Sequence, residues 1–266
     1  MNGTQLVSRW LEELAWPDVK DYLASDPKRI IVGLGATENH GPHAPLFTDT
    51  LITRAVAERM AIMLDALIAP VLPIGHSPQH LSWPGTISWP NRLVADALIA
   101  TTRDLARHGF DSFIFFSGHG GNRVAIELAI SEVLDVFPKL KCVHANQLSV
   151  QTSEWFRQSM ITVTGQPLEG LWGAHGGEQE TSAVLALRPE LVRPERYGPS
   201  ADVSVYLSRN RDPAVTMADR DLHSHAPNGN WGDPSRANSE QGYAFLDGVA
   251  AEMARRAAEI LERGDR

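Results

Sequence analysis

Phe110-Asp-Ser-Phe-Ile-Phe-Phe116 runs straight into Ser117-Gly-His-Gly-Gly-Asn122, and the rest of the chain reads outward from that junction. The first run is aromatic, β-branched and apolar, the composition of a strand buried on both sides. Glycines then turn the chain, and helical spacing follows as far as about Val136, so the unit is strand, tight turn, helix. Arg92 to His108 reads as a helix just before it, and Leu140 to His144 as the next strand. Towards the N-terminus, Ile30 to Leu34 (IIVGL) is a short apolar run ending at Gly35. Thr50 to Leu64 has helical spacing through Leu51, Val56, Met60 and Met63, and Ala66 to Leu72 is a further strand closed by Pro73. Another helix is expected from near Glu178 to before Pro189, and a closing helix over Glu240 to Arg263. Residues 190–239 are rich in Pro, Arg, Asp and Asn with weak periodicity, and read as long surface loops.

Strands that alternate with helices imply a parallel sheet covered on both faces. Right-handed crossovers then bring the loop after each strand to one edge. Ligands bind beyond the carboxyl ends of such strands, which singles out the loop after Leu34 and the loop after Phe116. With 266 residues, 43% of them hydrophobic, the chain has ample material for one large core, and it reads as a single domain over residues 1–266. A net charge of −8 and a pI near 5.7 argue against a nucleic-acid partner, which needs cationic surface. No apolar run approaches membrane-spanning length, and Met1 to Glu13 lacks the basic start and apolar core of a signal peptide. Cys142 is the one cysteine, which rules out an intrachain disulfide or thiolate cluster and agrees with a cytoplasmic location.

The singled-out loops are dense in groups that bind metal. The first reads Glu38-Asn-His40-Gly-Pro-His43 and runs on to Asp49; the second carries His119; later comes His175-Gly-Gly-Glu178-Gln-Glu180-Thr-Ser182. Mixed imidazole and carboxylate donors suit zinc, manganese or iron(II), whereas calcium and magnesium prefer oxygen alone. Two such ions side by side need a shared anion, which a short aspartate can supply, and they acidify the water between them. Each residue also has an ordinary reading. Asp49 could cap the helix it precedes, Glu38 could be half of a surface ion pair, and the glycines around His119 could form a phosphate nest. Glu180 and Ser182 could simply belong to a helix's first turn, and His175, His223 and His225 could be loop histidines. The turn lacks the lysine of a P-loop and the spacing of a dinucleotide fingerprint.

Taken together, these segments resemble the creatininase (creatinine amidohydrolase) family. Gly35-Ala-Thr-Glu38-Asn-His40-Gly-Pro-His43 with Asp49 is similar to its leading metal motif, and His80 to Ser88 (HLSWPGTIS) to its His-x-x-Phe-Pro-Gly-Thr segment. Ser117 to Asn122 resembles its Asn-Gly-His-Gly-Gly-Asn turn, His175 to Ser182 its His-x-Gly-Glu-x-Glu-Thr-Ser segment, and Gly232-Asp-Pro234 a late signature. The resemblance implies a three-layer α/β/α sandwich, two divalent metal ions (Zn, Mn or Fe), and homohexamers. By position, Glu38, Asp49 and His119 would hold one metal, and His40, Asp49 and a further glutamate the other. Creatininase proper has that glutamate two residues after the turn histidine, where this chain has Gly121. In relatives with the Gly-Gly turn the position matching Glu178 takes the role. His175 would be the catalytic histidine, with Trp172 and His80 candidate substrate contacts and His43 a possible pocket residue. The activity implied is hydrolysis of a C–N bond in a small cyclic amide or formamide-type substrate. The rivals are C–C or lactone ring opening at the same metal pair, and a non-catalytic metal- or nucleotide-binding regulatory protein.

Overall fold

In the computed structural model, which describes residues 6–147, 158, 160–162, 175–203 and 222–263, the described strands make one parallel sheet. They are β1 (Arg29–Leu34), β2 (Ala66–Ile68), β3 (Ser112–Ser117) and β4 (Lys141–Asn146), in the spatial order β2-β1-β3-β4. Ile30 pairs with Leu67 on one side and Phe113 on the other, and Phe113 with Cys142. The helices are α1 (Trp16–Tyr22), α2 (Thr48–Leu64), α3 (Asn91–His108), α4 (Arg123–Val136), α5 (Glu178–Leu187), the short α6 (Leu222–His225) and α7 (Ser239–Arg263).

The strand order explains the layers. The chain leaves β1 for β2 in one direction, then passes back over β1 to reach β3. Right-handed crossovers therefore put α2 on one face and α3 and α4 on the other. Side-chain alternation agrees. Ile30, Val32, Leu34, Phe113 and Phe115 pack with Val94, Leu98 and Ile126 of α3 and α4. Ile31, Ile114 and Phe116 pack with Ile52, Val56 and Met60 of α2, Ala183 of α5, and Phe245 and Val249 of α7. The four phenylalanines at 110, 113, 115 and 116 are fully buried, each contributing about 2–3 kcal/mol of apolar transfer. This is the α/β/α arrangement that the alternation implies.

Boundaries differ from expectation in three instructive places. β2 ends at Ile68 and not at Leu72, because the register slips: Ala69 donates to the Ile31 carbonyl, but the next bond, to Gly33, comes from Leu72 three residues on, and Leu72 returns as an isolated bridge to Leu34. β4 runs two residues farther, to Asn146. α2 starts at Thr48, so Asp49 lies inside its first turn, and Phe47 precedes it with no side-chain cap. Residues 190–239 are only partly loop surface. Where described, they include α6, and they bring the fully buried Asn230 against the rest of the fold.

Candidate metal centre

The reversal of strand order falls between β1 and β3, the crevice where open α/β sheets bind ligands. Two glycines let α2 press into it. A Cβ on Gly35 would lie 2.5 Å from the Cα of Thr50, and one on Gly118 2.8 Å from the carbonyl oxygen of Asp49. Thr53 joins the same parts, accepting from the Gly118 N–H (2.9 Å) and donating to the Asp49 carbonyl (2.7 Å). Asn122 closes the crevice by donating to the carbonyl of Gly35 and to Ser117 Oγ, while its Oδ1 accepts the N–H of His76. The Asp49 carboxylate is thereby held between the ends of both strands.

Around it the loops gather a buried polar cluster. Asp49 Oδ1 is 3.3 Å from His40 Nε2, and its Oδ2 is 3.2 Å from His119 Nδ1. His119 Nδ1 also lies 3.3 Å from Glu38 Oε1, and His40 Nε2 lies 3.6 Å from Glu180 Oε2. Glu38, His40, Asp49 and His119 are all buried. The unused ring nitrogens show which atoms face inward. His40 Nδ1 meets the Glu38 carbonyl, His119 Nε2 the His76 carbonyl, and His175 Nε2 the Asn39 carbonyl. A carbonyl only accepts, so these nitrogens carry N–H groups, and the opposite nitrogen of each ring faces the carboxylates as the position that can take either a proton or a metal.

Of the residues singled out in the sequence, Glu38, His40, Asp49, His119 and His175 converge. Glu178 does not join them: its carboxylate lies 3.8 Å from Arg236 Nε, and it belongs to none of the convergent donor groups. Glu180 takes the inward place, grouped with His40 and His175 and accepting the Gly176 N–H at 2.7 Å. Two residues apart on a helix means about 200° of rotation, so only one of the two can face the cluster. Trp172 lies outside the described residues. His80 is buried, with Nε2 3.6 Å from Glu38 Oε1. His43 ties its loop to α5 through Thr181 Oγ1 (3.1 Å) and meets the Tyr197 ring edge-on. His223 and His225 form part of α6, with His223 against the Trp83 ring.

Sequence reasoning missed Trp231. Its ring stacks on His175 at 4.5 Å between centroids, while the N–H groups of Trp231 and Gly232 donate to the His175 carbonyl. No periodicity marks that loop, although the adjoining Gly232-Asp-Pro234 was a usable signal.

The electrostatics reflect crowding. Burial works against charge on His40 and His119, yet the carboxylates outweigh it, raising His40 to about 10 and His119 well above the usual imidazole range. Burial, with the charge of His40 and then His80, holds His175 well below that range. Burial, opposed by His40 and reinforced by Asp49, lifts Glu180 to about 7. His43 is pushed down to about 4, by burial and then by His40. Glu38 Oε2 and Asp49 Oδ2 are buried without a hydrogen bond. Inward ring nitrogens whose protons a metal can displace, together with partnerless carboxylate oxygens, are what a cation would satisfy, so the donor set fits divalent metal.

The profile of the creatininase family, creatinine amidohydrolase, matches residues 12–257. The chain belongs to the creatininase family. This creatininase-family chain is 29% identical over 255 residues to a mycofactocin precursor peptide peptidase of Mycobacterium tuberculosis, covering 91% of the chain and 90% of that protein. It is 31% identical over 233 residues to a creatinine amidohydrolase of Pseudomonas putida, covering 82% and 87%. A solved creatininase variant of the Zn–Zn type superposes with a TM-score of 0.81 at 25% identity, over 96% of this chain and 98% of that one. Hydrolysis is the family's common chemistry, and its substrates differ between relatives.

Proposed function

We propose that this chain is a metal-dependent amidohydrolase that hydrolyses the C–N bond of a small amide. The observation that carries the reading is Asp49, whose two oxygens face the inward ring nitrogens of two different histidines. Glu38, Asp49 and His119 would hold one divalent ion, and His40, Asp49 and Glu180 the other, with Glu180 replacing Glu178 as the fifth ligand. When bound, such a pair makes water nucleophilic near neutral pH and polarises a carbonyl. The Zn–Zn type of the structural neighbour supports zinc as the first ion to try.

His175 moves the proton. Its Nε2–H is engaged by the Asn39 carbonyl, so Nδ1 is the titrating atom, 3.5 Å from Glu38 Oε1. With its pKa held down, the ring enters the reaction neutral and accepts a proton from the attacking water. It returns that proton to the departing nitrogen, because an amine leaves poorly unless protonated. The products are a carboxylate and an amine. Trp231 fixes the ring for both transfers by stacking on its face.

The test pairs metal content with amine release. Glu180→Gln is expected to lose one ion per chain by elemental analysis and most turnover on cyclic or formyl amides, whereas Glu178→Gln keeps both. If Glu178→Gln is the variant that loses metal, the ligand assignment is wrong. Substrate consumption without amine release would move the reaction to C–C or lactone cleavage.

A further inference from the structure

His80 stands apart from the other histidines of the cluster in how its ring is held. His40, His119 and His175 each give one N–H to a backbone carbonyl and turn the other ring nitrogen inward. His80 Nδ1 instead lies 2.9 Å from the side-chain nitrogen of Asn39. The orientation of that amide is fixed independently, because Asn39 Oδ1 accepts the N–H of Gly41 at 2.9 Å. Asn39 Nδ2 is therefore a donor, and His80 Nδ1 must accept. The proton of a neutral His80 then resides on Nε2, the nitrogen that faces Glu38 Oε1 at 3.6 Å.

We propose that His80 is a positioning residue whose Nε2–H orients the Glu38 carboxylate, with the Asn39 amide fixing the tautomer that makes this possible. His80, Glu38 and His175 approach one another closely enough to suggest a metal triad. The hydrogen-bond order argues otherwise: a nitrogen carrying a proton offers no lone pair to an ion. The relay is tightly built, because Gly229 (φ +78°) packs on Asn39 so closely that a Cβ there would fall 1.8 Å from Asn39 Oδ1. The ring itself is buried and lies tilted against His175, with 4.4 Å between centroids. Glu38 Oε1 thus faces that N–H at 3.6 Å, an electrostatic contact longer than a hydrogen bond, while the other oxygen, Glu38 Oε2, has no hydrogen bond. Groups that orient a metal-binding side chain in this way are worth about 10–100-fold in metal affinity.

The affinity part of the inference rests on the metal reading above; the tautomer does not. The nitrogen spectrum of metal-free protein labelled with ¹⁵N-histidine is expected to show His80 protonated at Nε2 and bare at Nδ1. Asn39→Asp keeps an acceptor for Gly41 but offers His80 no N–H, so the Nδ1 signal is expected to move to the protonated range. Zinc affinity, measured by competition with a chromophoric chelator, is expected to fall about 10–100-fold in His80→Ala. His80→Gln, whose amide N–H occupies the place of Nε2–H, is expected to recover most of it. The proposal is overturned by a wild-type His80 that is bare at Nε2, by unchanged affinity in His80→Ala, or by a glutamine variant as weak as the alanine one. A wild type that takes up no zinc sinks the metal reading alone, and the nitrogen assignment then decides the relay.

Discussion

Asp49 shows how far a single side chain can be read. Its type and place after Thr48 allow either a helix cap or a ligand, and the two readings differ only in where the helix begins. With α2 starting at Thr48 the cap position passes to Phe47, and the Asp49 carboxylate is free to lie between His40 and His119. Asp49→Ala is expected to abolish binding at both metal positions, leaving less than one ion per chain by elemental analysis. His175→Ala is expected to behave differently, keeping its metal while kcat falls about 10²–10⁴-fold, the usual contribution of a positioned acid–base group. Full amide turnover in that variant would assign the proton transfers elsewhere. Glu178 and Glu180 illustrate the limit of spacing arguments, since both occupy the first turn of α5. Helical phase does not separate them either: Glu180 leads at i+3 and i+4 to Ala183 and Val184, Glu178 to Thr181 and Ser182, and all four are buried.

At the level of elements, legibility followed burial. β1, β3, α3 and α4 were visible as apolar runs or helical stripes because they meet the core on defined faces. The loop carrying Asn230 and Trp231 had no such stripe: its place is set by contacts with His175 and Asn39, which are distant in sequence and leave no local pattern. The end of α1 allows a test that is independent of the metal site. Tyr22 Oη accepts the Arg29 N–H at 3.1 Å, and the carbonyls of Arg29 and Asp65, each 2.9 Å away, share its single proton. Burial, with the nearby Asp65 charge, pushes its hydroxyl up to about 12 although the Arg29 backbone bond opposes this. The folded state thus favours the protonated phenol, and its contribution is fully present below about pH 10 and lost as pH rises towards 12. Allowing for partial exposure, that loss amounts to about 1–2 kcal/mol. Chemical denaturation across this range is expected to show a steeper alkaline decline in wild type than in Tyr22→Phe. Parallel declines would mean that the phenol titrates normally.

For the whole molecule, the buried cluster ties stability, charge and metal together. Among the described residues no helix is long and apolar enough to cross a membrane. We propose self-association, as the family resemblance implies, and light scattering is expected to give a mass several times that of the 29.2 kDa chain. The sharper prediction concerns pH. Without metal, protons occupy the nitrogens that would bind it: His40 is raised to about 10 and His119 also well upward, with burial opposing and the carboxylates prevailing. A histidine raised on folding contributes stability that is complete below its ordinary value of 6.5 and disappears as pH climbs to about 10. Metal-free protein is therefore expected to lose stability across that window. Metal needs the same nitrogens bare, so proton competition weakens over the same range and binding tightens. The rise in Tm produced by a fixed excess of zinc over chelator-treated protein is accordingly expected to grow from about pH 6.5 upward, while binding releases close to two protons per chain. A ligand present at 100 times its Kd adds about 2.7 kcal/mol, within reach of calorimetry. Titration in buffers of different ionisation heat would count the protons. A thermal shift that shrinks as pH rises, or binding without proton release, would mean that His40 and His119 are not the groups displaced.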